Sequence, residues 1–212
     1  MKIISHRGYW KSAEEKNLVP AFERSFSLGY GTETDVRDSN GRLLISHDMP
    51  RGDELSLDDV LRMASSHGAG GLTLALNIKA DGLAQAVADA ISRHPCLDCF
   101  AFDMSVPDMR GYLSAGVPVF TRMSEVERDP AWLKESAGVW LDSFIPEWYD
   151  LGLIRSLLSD GKRVCVVSSE LHRRDPQGLW QLLRPLAAES NLVLCTDLPE
   201  DATMYFFGKQ EA

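Results

Sequence analysis

The tightest constraint on the fold is an alternation that runs the length of the chain. Short apolar runs of β character occur at KIIS (2–5), GTETDV (31–36), LTLALNIK (72–79), CFAFDM (99–104), VPVFTR (117–122), GVWLDSF (138–144), RVCVVSS (163–169) and LVLCTD (192–197). Longer runs with helical periodicity separate them, at 18–29, 55–66, 82–94, 105–116, 149–161 and 176–189. Strands alternating with helices imply parallel pairing, because a parallel neighbour requires a long crossover. The strand runs are nearly continuous in apolar character, as expected where both sheet faces are covered. Eight such runs predict an α/β protein of the (β/α)8 TIM-barrel class, with an open doubly wound sheet as the alternative. The 212 residues lie near the lower end for that fold and read as a single domain over 1–212. Between 125 and 137 the pattern is thin, and DPAWLKES offers a turn or two of helix. Asn40-Gly41 is a strong hairpin signal. It predicts a small β-hairpin insertion after the second strand, with an extra strand at 43–47.

Charge and composition exclude several classes of function. The formal net charge is −9, so there is no basic footprint for nucleic acid or for an anionic membrane surface. A phosphate-bearing ligand must be drawn by local cations against this background. No stretch approaches the roughly 20 apolar residues of a membrane span. MKIISHRG at the start lacks the features of a signal peptide. The four cysteines, Cys96, Cys99, Cys165 and Cys195, form no disulfide framework, and CLDC is a lone C-x-x-C. Reduced thiols and a cytoplasmic location are expected.

The strands share a second feature: each begins apolar and ends polar. His6 and Arg7, Glu33 and Asp35, Asn77 and Lys79, Asp103, Arg122, Asp142, Ser168 and Ser169, and Thr196 and Asp197 all stand at strand C-termini. In a parallel barrel that is the end where active sites are built. Glu33 and Asp35 fall on one side of an extended segment. Like charges so placed are tolerable in water, beside a cation, or at a site that uses them, and hard oxygen donors at this spacing suit Mg²⁺ or Ca²⁺. Arg7 offers a planar fork for phosphate or carboxylate, and Gly8 lets backbone approach a ligand. The hairpin returns His47 and Asp48 toward Glu33 and Asp35. Asp103 also reads as a cap for the helix that follows, His172 as a rim residue, and Tyr9 and Trp10 as aromatic surface or core.

HRG at 6–8, KN at 16–17, ETD at 33–35, HD at 47–48, NIK at 77–79 and CTDLPED at 195–201, in that order, make the chain resemble the glycerophosphodiester phosphodiesterase family, as a divergent member. HRG followed by ExD and a hairpin HD is the specific part, and the resemblance runs over essentially the whole length. It implies a (β/α)8 barrel that hydrolyses a small-molecule phosphodiester with a divalent cation, Mg²⁺ or Ca²⁺, and a two-histidine acid/base pair. Carried over residue by residue, the metal ligands are Glu33, Asp35 and Asn77. The catalytic residues are His6, His47 and Arg7, and the phosphate-binding residues are Arg7, Lys79, Lys16 and Asn17. A hydroxyl beside the ester can attack first, giving a cyclic phosphate that water then opens. Two departures stand out: Lys16 and Asn77 occupy positions where the family usually carries Glu. They imply a weaker metal site, or a substrate that brings additional negative charge. Glu15, one residue earlier, is a possible substitute ligand, and Lys16 a substrate contact. A phosphotransferase stopping at the cyclic product and a non-catalytic phosphoester-binding barrel are the alternatives. A glycosidase ranks last, because two carboxylates so close on one strand cannot flank a glycosidic bond.

Overall fold

The apolar runs become strands and the amphipathic runs become helices. The computed structural model describes residues 1–67, 71–146 and 148–208. In chain order the elements are β1 (Lys2–His6), α1 (Val19–Ser27), β2 (Gly31–Ser39), β3 (Arg42–Ile45), α2 (Leu57–His67), β4 (Thr73–Ile78), α3 (Ala84–Ser92), β5 (Asp98–Phe102) and α4 (Val106–Ser114). There follow β6 (Phe120–Met123), β7 (Gly138–Leu141), α5 (Leu151–Ser159), β8 (Arg163–Val167), α6 (Gln177–Leu183), β9 (Leu192–Thr196) and α7 (Pro199–Phe207). Apart from β3, these are the strands and helices of the α/β, (β/α)8 class. Contacts divide the chain into two compact units, Ser5–Phe120 and a second made of Met1–Ile4 with the chain from Thr121 onward.

In the Ser5–Phe120 unit, strand neighbours run β5-β4-β2-β1, with β3 against β2. The pairs β2–β4 and β4–β5 are parallel, in the registers Asp35 with Asn77 and Asn77 with Phe102. The hairpin pair β2–β3 is antiparallel, Val36 opposite Ile45 and Ser39 opposite Arg42. Asn40 and Gly41 both have positive φ, 51° and 75°, the backbone of a type I′ turn, whose twist matches the flanking strands. A buried cluster including Phe22, Phe26, Leu57, Leu61, Leu74, Leu76 and Tyr112 fills the space between helices and sheet. Each such side chain contributes roughly 1.5–3 kcal/mol by leaving water. Phe100 and Phe120 stack at 3.7 Å between ring centroids, beside an isolated parallel bridge between Ala101 and Val119.

In the second unit the order is β1-β9-β8-β7-β6, with β7–β8 and β8–β9 parallel. Val139, Leu141, Val164, Val166, Leu192 and Leu194 are buried there, as are Leu179, Trp180 and Leu183 of α6. Three sequence expectations change. No helix lies between β6 and β7; residues 131–135 form a turn closed by Ser136 N donating to Trp132 O at 2.9 Å. The helix α7 was not expected, although Pro199 in its first turn and Glu200 and Asp201 beside it are ordinary start signals. Asp103 does not cap α4. That cap is Ser105, whose hydroxyl accepts from Asp108 N. Among the described residues no helix is long and apolar enough to cross a membrane, and the four cysteines remain thiols.

Candidate functional site

The site lies within the Ser5–Phe120 unit and is built outward from β2. Glu33 and Asp35 are 1% and 0% exposed, so their charges have been taken from water and need compensation. Compensation comes from the ends of the two flanking strands. From β1, His6 Nε2 lies 3.8 Å from Glu33 Oε2, and Arg7 Nε lies 2.9 Å from Asp35 Oδ2. The Arg7 contact is close but its N–H is not aligned for a hydrogen bond, so its attraction is that of charge. From β4, Lys79 Nζ lies 3.4 Å from Asp35 Oδ1, and Asn77 is the register partner of Asp35.

The chain after β1 turns sharply to make this possible. Arg7 and Gly8 have φ of 58° and 78°. A Cβ on Gly8 would lie 2.7 Å from Ala21 Cβ and 2.8 Å from Ala21 C, so both the backbone and the space require glycine. Gly31 is required for space alone, because a Cβ there would meet Thr73 O at 1.9 Å. Asn17 N donates to Arg7 O at 2.9 Å, closing a loop over Arg7–Asn17 at its base. The Asn17 amide then donates to Asp35 Oδ2 and accepts from Thr34 Oγ1, both at 2.9 Å. Both ends of the loop are thereby fixed to one buried carboxylate.

Burial pushes the Glu33 carboxyl up to about 7; the Asp35 charge pushes the same way, while His6 foremost, then Arg7 and Lys79, oppose it. Glu33 Oε2, Asp35 Oδ1 and Asn77 Oδ1 are buried and make no hydrogen bond. Buried oxygens left without a hydrogen bond are of the kind a hard divalent cation takes as ligands. The donor set therefore fits Mg²⁺ or Ca²⁺ as two carboxylates and one amide carbonyl. It is lean, since among the described residues no group of three His, Cys, Asp or Glu side chains is arranged to hold a metal ion.

The other expected residues stand around this centre. Strand β3 ends at Ile45, two residues earlier than expected, and Ser46 N still reaches Asp35 O at 3.1 Å. His47 is beyond the strand, half-exposed, with Nδ1 2.9 Å from Asp48 Oδ1. That bond chiefly holds the Asp48 carboxyl below its ordinary range. Lys16 sits outside the carboxylate cluster, its ammonium 4.4 Å from the Trp10 ring centroid. Glu15 does not reach in; its carboxylate pairs with Arg24 at 2.9 Å and accepts from Lys11 N.

In the second unit His172 is more than a rim residue. Its Nε2 lies 2.7 Å from Asp142 Oδ1, which also accepts from Ser143 N, and the Phe144 ring lies 4.8 Å from the imidazole. Both residues end or follow strands in the sequence, but a pairing across thirty positions leaves no local signal.

No family model matches the chain, and no curated protein matches it. Solved structures do. A crystal structure of a glycerophosphodiester phosphodiesterase from Parabacteroides distasonis superposes with a TM-score of 0.66 at 19% identity, covering 97% of this chain and 96% of that one. One from Agrobacterium tumefaciens gives 0.69, again at 19% identity, covering 97% and 98%. A phosphoribosyl anthranilate isomerase from Thermus thermophilus gives 0.50 at 14% identity, covering 100% and 90%. At these identities the likeness is one of fold, and the presence of an isomerase illustrates that this fold carries unrelated chemistries. The family resemblance read from the motifs is matched by the phosphodiesterases among the neighbours.

Proposed function

We propose that the chain is a divergent glycerophosphodiester phosphodiesterase that hydrolyses a small-molecule phosphodiester. The observation that carries this reading is the grouping of His6, Arg7, Asn17, Glu33, Asp35, Asn77 and Lys79 around one buried carboxylate pair. These are the residues that the motif order singles out. Hydrolysis needs the non-bridging phosphate oxygens neutralised, a proton taken from the attacking hydroxyl, and one given to the leaving alkoxide. Arg7 and Lys79 supply positive charge at the phosphate. His6 and His47 are the acid/base pair, with Asp48 on His47 Nδ1 leaving Nε2 to exchange the proton. Glu33, Asp35 and Asn77 would hold a divalent cation, which would supply charge neutralisation and acidify a neighbouring hydroxyl. The attacking oxygen forms its bond to phosphorus as the bond to the leaving alcohol breaks. If the first attacker is a substrate hydroxyl, water opens the cyclic phosphate in a second displacement. Thiols at all four cysteines support a cytoplasmic setting.

The test is hydrolysis of bis(p-nitrophenyl) phosphate and glycerophosphocholine after EDTA treatment, with Mg²⁺, Ca²⁺ or Mn²⁺ restored, beside His6→Ala and His47→Ala. Turnover that returns with metal and is lost in both variants is expected. Turnover retained in both histidine variants overturns the acid/base assignment, and phosphorus NMR of the product separates a hydrolase from a transferase that stops at the cyclic phosphate.

A further inference from the structure

The cations around the carboxylate pair are not equivalent. Arg7 and Lys79 each stand beside an oxygen of Asp35. Lys16 follows a different rule: its ammonium rests on the face of Trp10, 4.4 Å from the ring centroid. It pairs with no carboxylate among the described residues. The nearest acidic neighbours in sequence are otherwise engaged, Glu15 by Arg24 and the Lys11 amide and Glu14 by Ser12. In a chain of net charge −9, the Lys16 ammonium has an aromatic face for a partner and not a carboxylate.

Its position is also fixed. Lys16 is bonded to Asn17, whose amide holds Asp35 and Thr34 and whose N–H closes the loop on Arg7. Trp10, on the same loop, supplies the surface that orients the side chain. An aromatic face is otherwise the natural seat of a quaternary ammonium group. Here the protein's own cation takes that seat, so a choline-like group must displace Lys16 and then meet its charge. An anionic group, by contrast, gains a preplaced partner with no competing carboxylate.

We propose that Lys16, held on Trp10, is a specificity-determining residue that selects glycerophosphodiesters whose alcohol group carries a second anion, phosphate or carboxylate, over those carrying a quaternary ammonium. This rests on the phosphodiesterase reading of the same site. The substrate class follows from charge: one diester anion answers Arg7 and Lys79, and a second answers Lys16.

The experiment compares kcat/KM for glycerophosphocholine, glycerophosphoserine and a glycerophosphoglycerol bearing a terminal phosphate, in the wild type and in Lys16→Gln, Lys16→Glu and Lys16→Arg. The wild type is expected to prefer the two anionic diesters. The ratio of the phosphate-bearing to the choline substrate should fall about tenfold in Lys16→Gln, the scale of one charge-assisted contact. It should fall further in Lys16→Glu and return in Lys16→Arg. A ratio unchanged in Lys16→Gln and Lys16→Glu overturns the assignment, even if both rates fall together. Bis(p-nitrophenyl) phosphate, which has no charged alcohol group, reads the catalytic function in the wild type separately. If it is not turned over, calorimetric binding of the same three diesters reads the selectivity: a preference for the anionic pair lost in Lys16→Gln supports the inference, and equal affinities overturn it.

Discussion

Glu33 is the residue at which burial and charge conflict most directly. Its carboxyl ordinarily titrates near 4.5 and in the fold is raised to about 7. Between those values the folded chain holds a proton that the unfolded chain has lost. Stability from this group is therefore fully present below about 4.5 and declines as pH rises through 7. Glu33→Gln, which keeps the shape without the charge, should unfold at higher denaturant than the wild type at pH 8. The gap should shrink toward pH 5, with a total change on the order of 3 kcal/mol. Urea titrations across that range check it, and a gap independent of pH would show that Glu33 is compensated better than its burial indicates. Asn77 makes the complementary case. Its oxygen is orphaned beside Asp35, so Asn77→Glu adds a third carboxylate to a lean donor set. Mg²⁺ or Ca²⁺ affinity should rise at least about tenfold. An unchanged affinity by calorimetry would remove position 77 from the ligand set.

At the scale of elements, the site depends on how β1 leaves the sheet. Arg7 and Gly8 turn the chain with positive φ, and α1 crosses directly behind, with Ala21 against Gly8. Gly8→Ala should cost about 3 kcal/mol, part strain at positive φ and part collision with the Ala21 backbone. Equilibrium unfolding measures the cost. Activity should fall further than the folded fraction, since Arg7 and Asn17 lose their common anchor on Asp35; a fall that tracks the folded fraction alone would show that the loop base tolerates the shift. The hairpin makes a parallel point. Its Asn40-Gly41 turn was readable from sequence because a type I′ turn demands positive φ at both central residues. The end of β3 was not, because Ser46 continues the bonding to Asp35 without strand geometry beyond Ile45.

For the molecule as a whole, the alternation of apolar and amphipathic runs was enough to place all eight parallel strands and to give the fold class, because buried parallel strands must be apolar on both faces. What failed were segments where local signals and packing part company. DPAWLKES has helical composition, but Trp132 takes φ 59° and no helix forms. PEDATMYFF folds as α7, with Pro199 and two acidic residues marking its start. The carboxylates, histidines and Arg7 were legible as strand-end residues and by motif order. Their partners were not: Asn17 on Thr34 and Asp35, Lys16 on Trp10 and Asp142 with His172 are decided by three-dimensional approach, and nothing in residue spacing announces them. The closed base of the Arg7–Asn17 loop has a practical consequence. Because Asn17 and Arg7 are tied to each other and to the same carboxylate, the residues between them form a cassette whose ends are already joined. Doubling the length of such a loop adds only about 0.6 kcal/mol of closure entropy. The tip can thus be lengthened, shortened or exchanged while the carboxylates beneath stay where they are, which makes this loop the natural place to graft new contacts above an unchanged carboxylate pair.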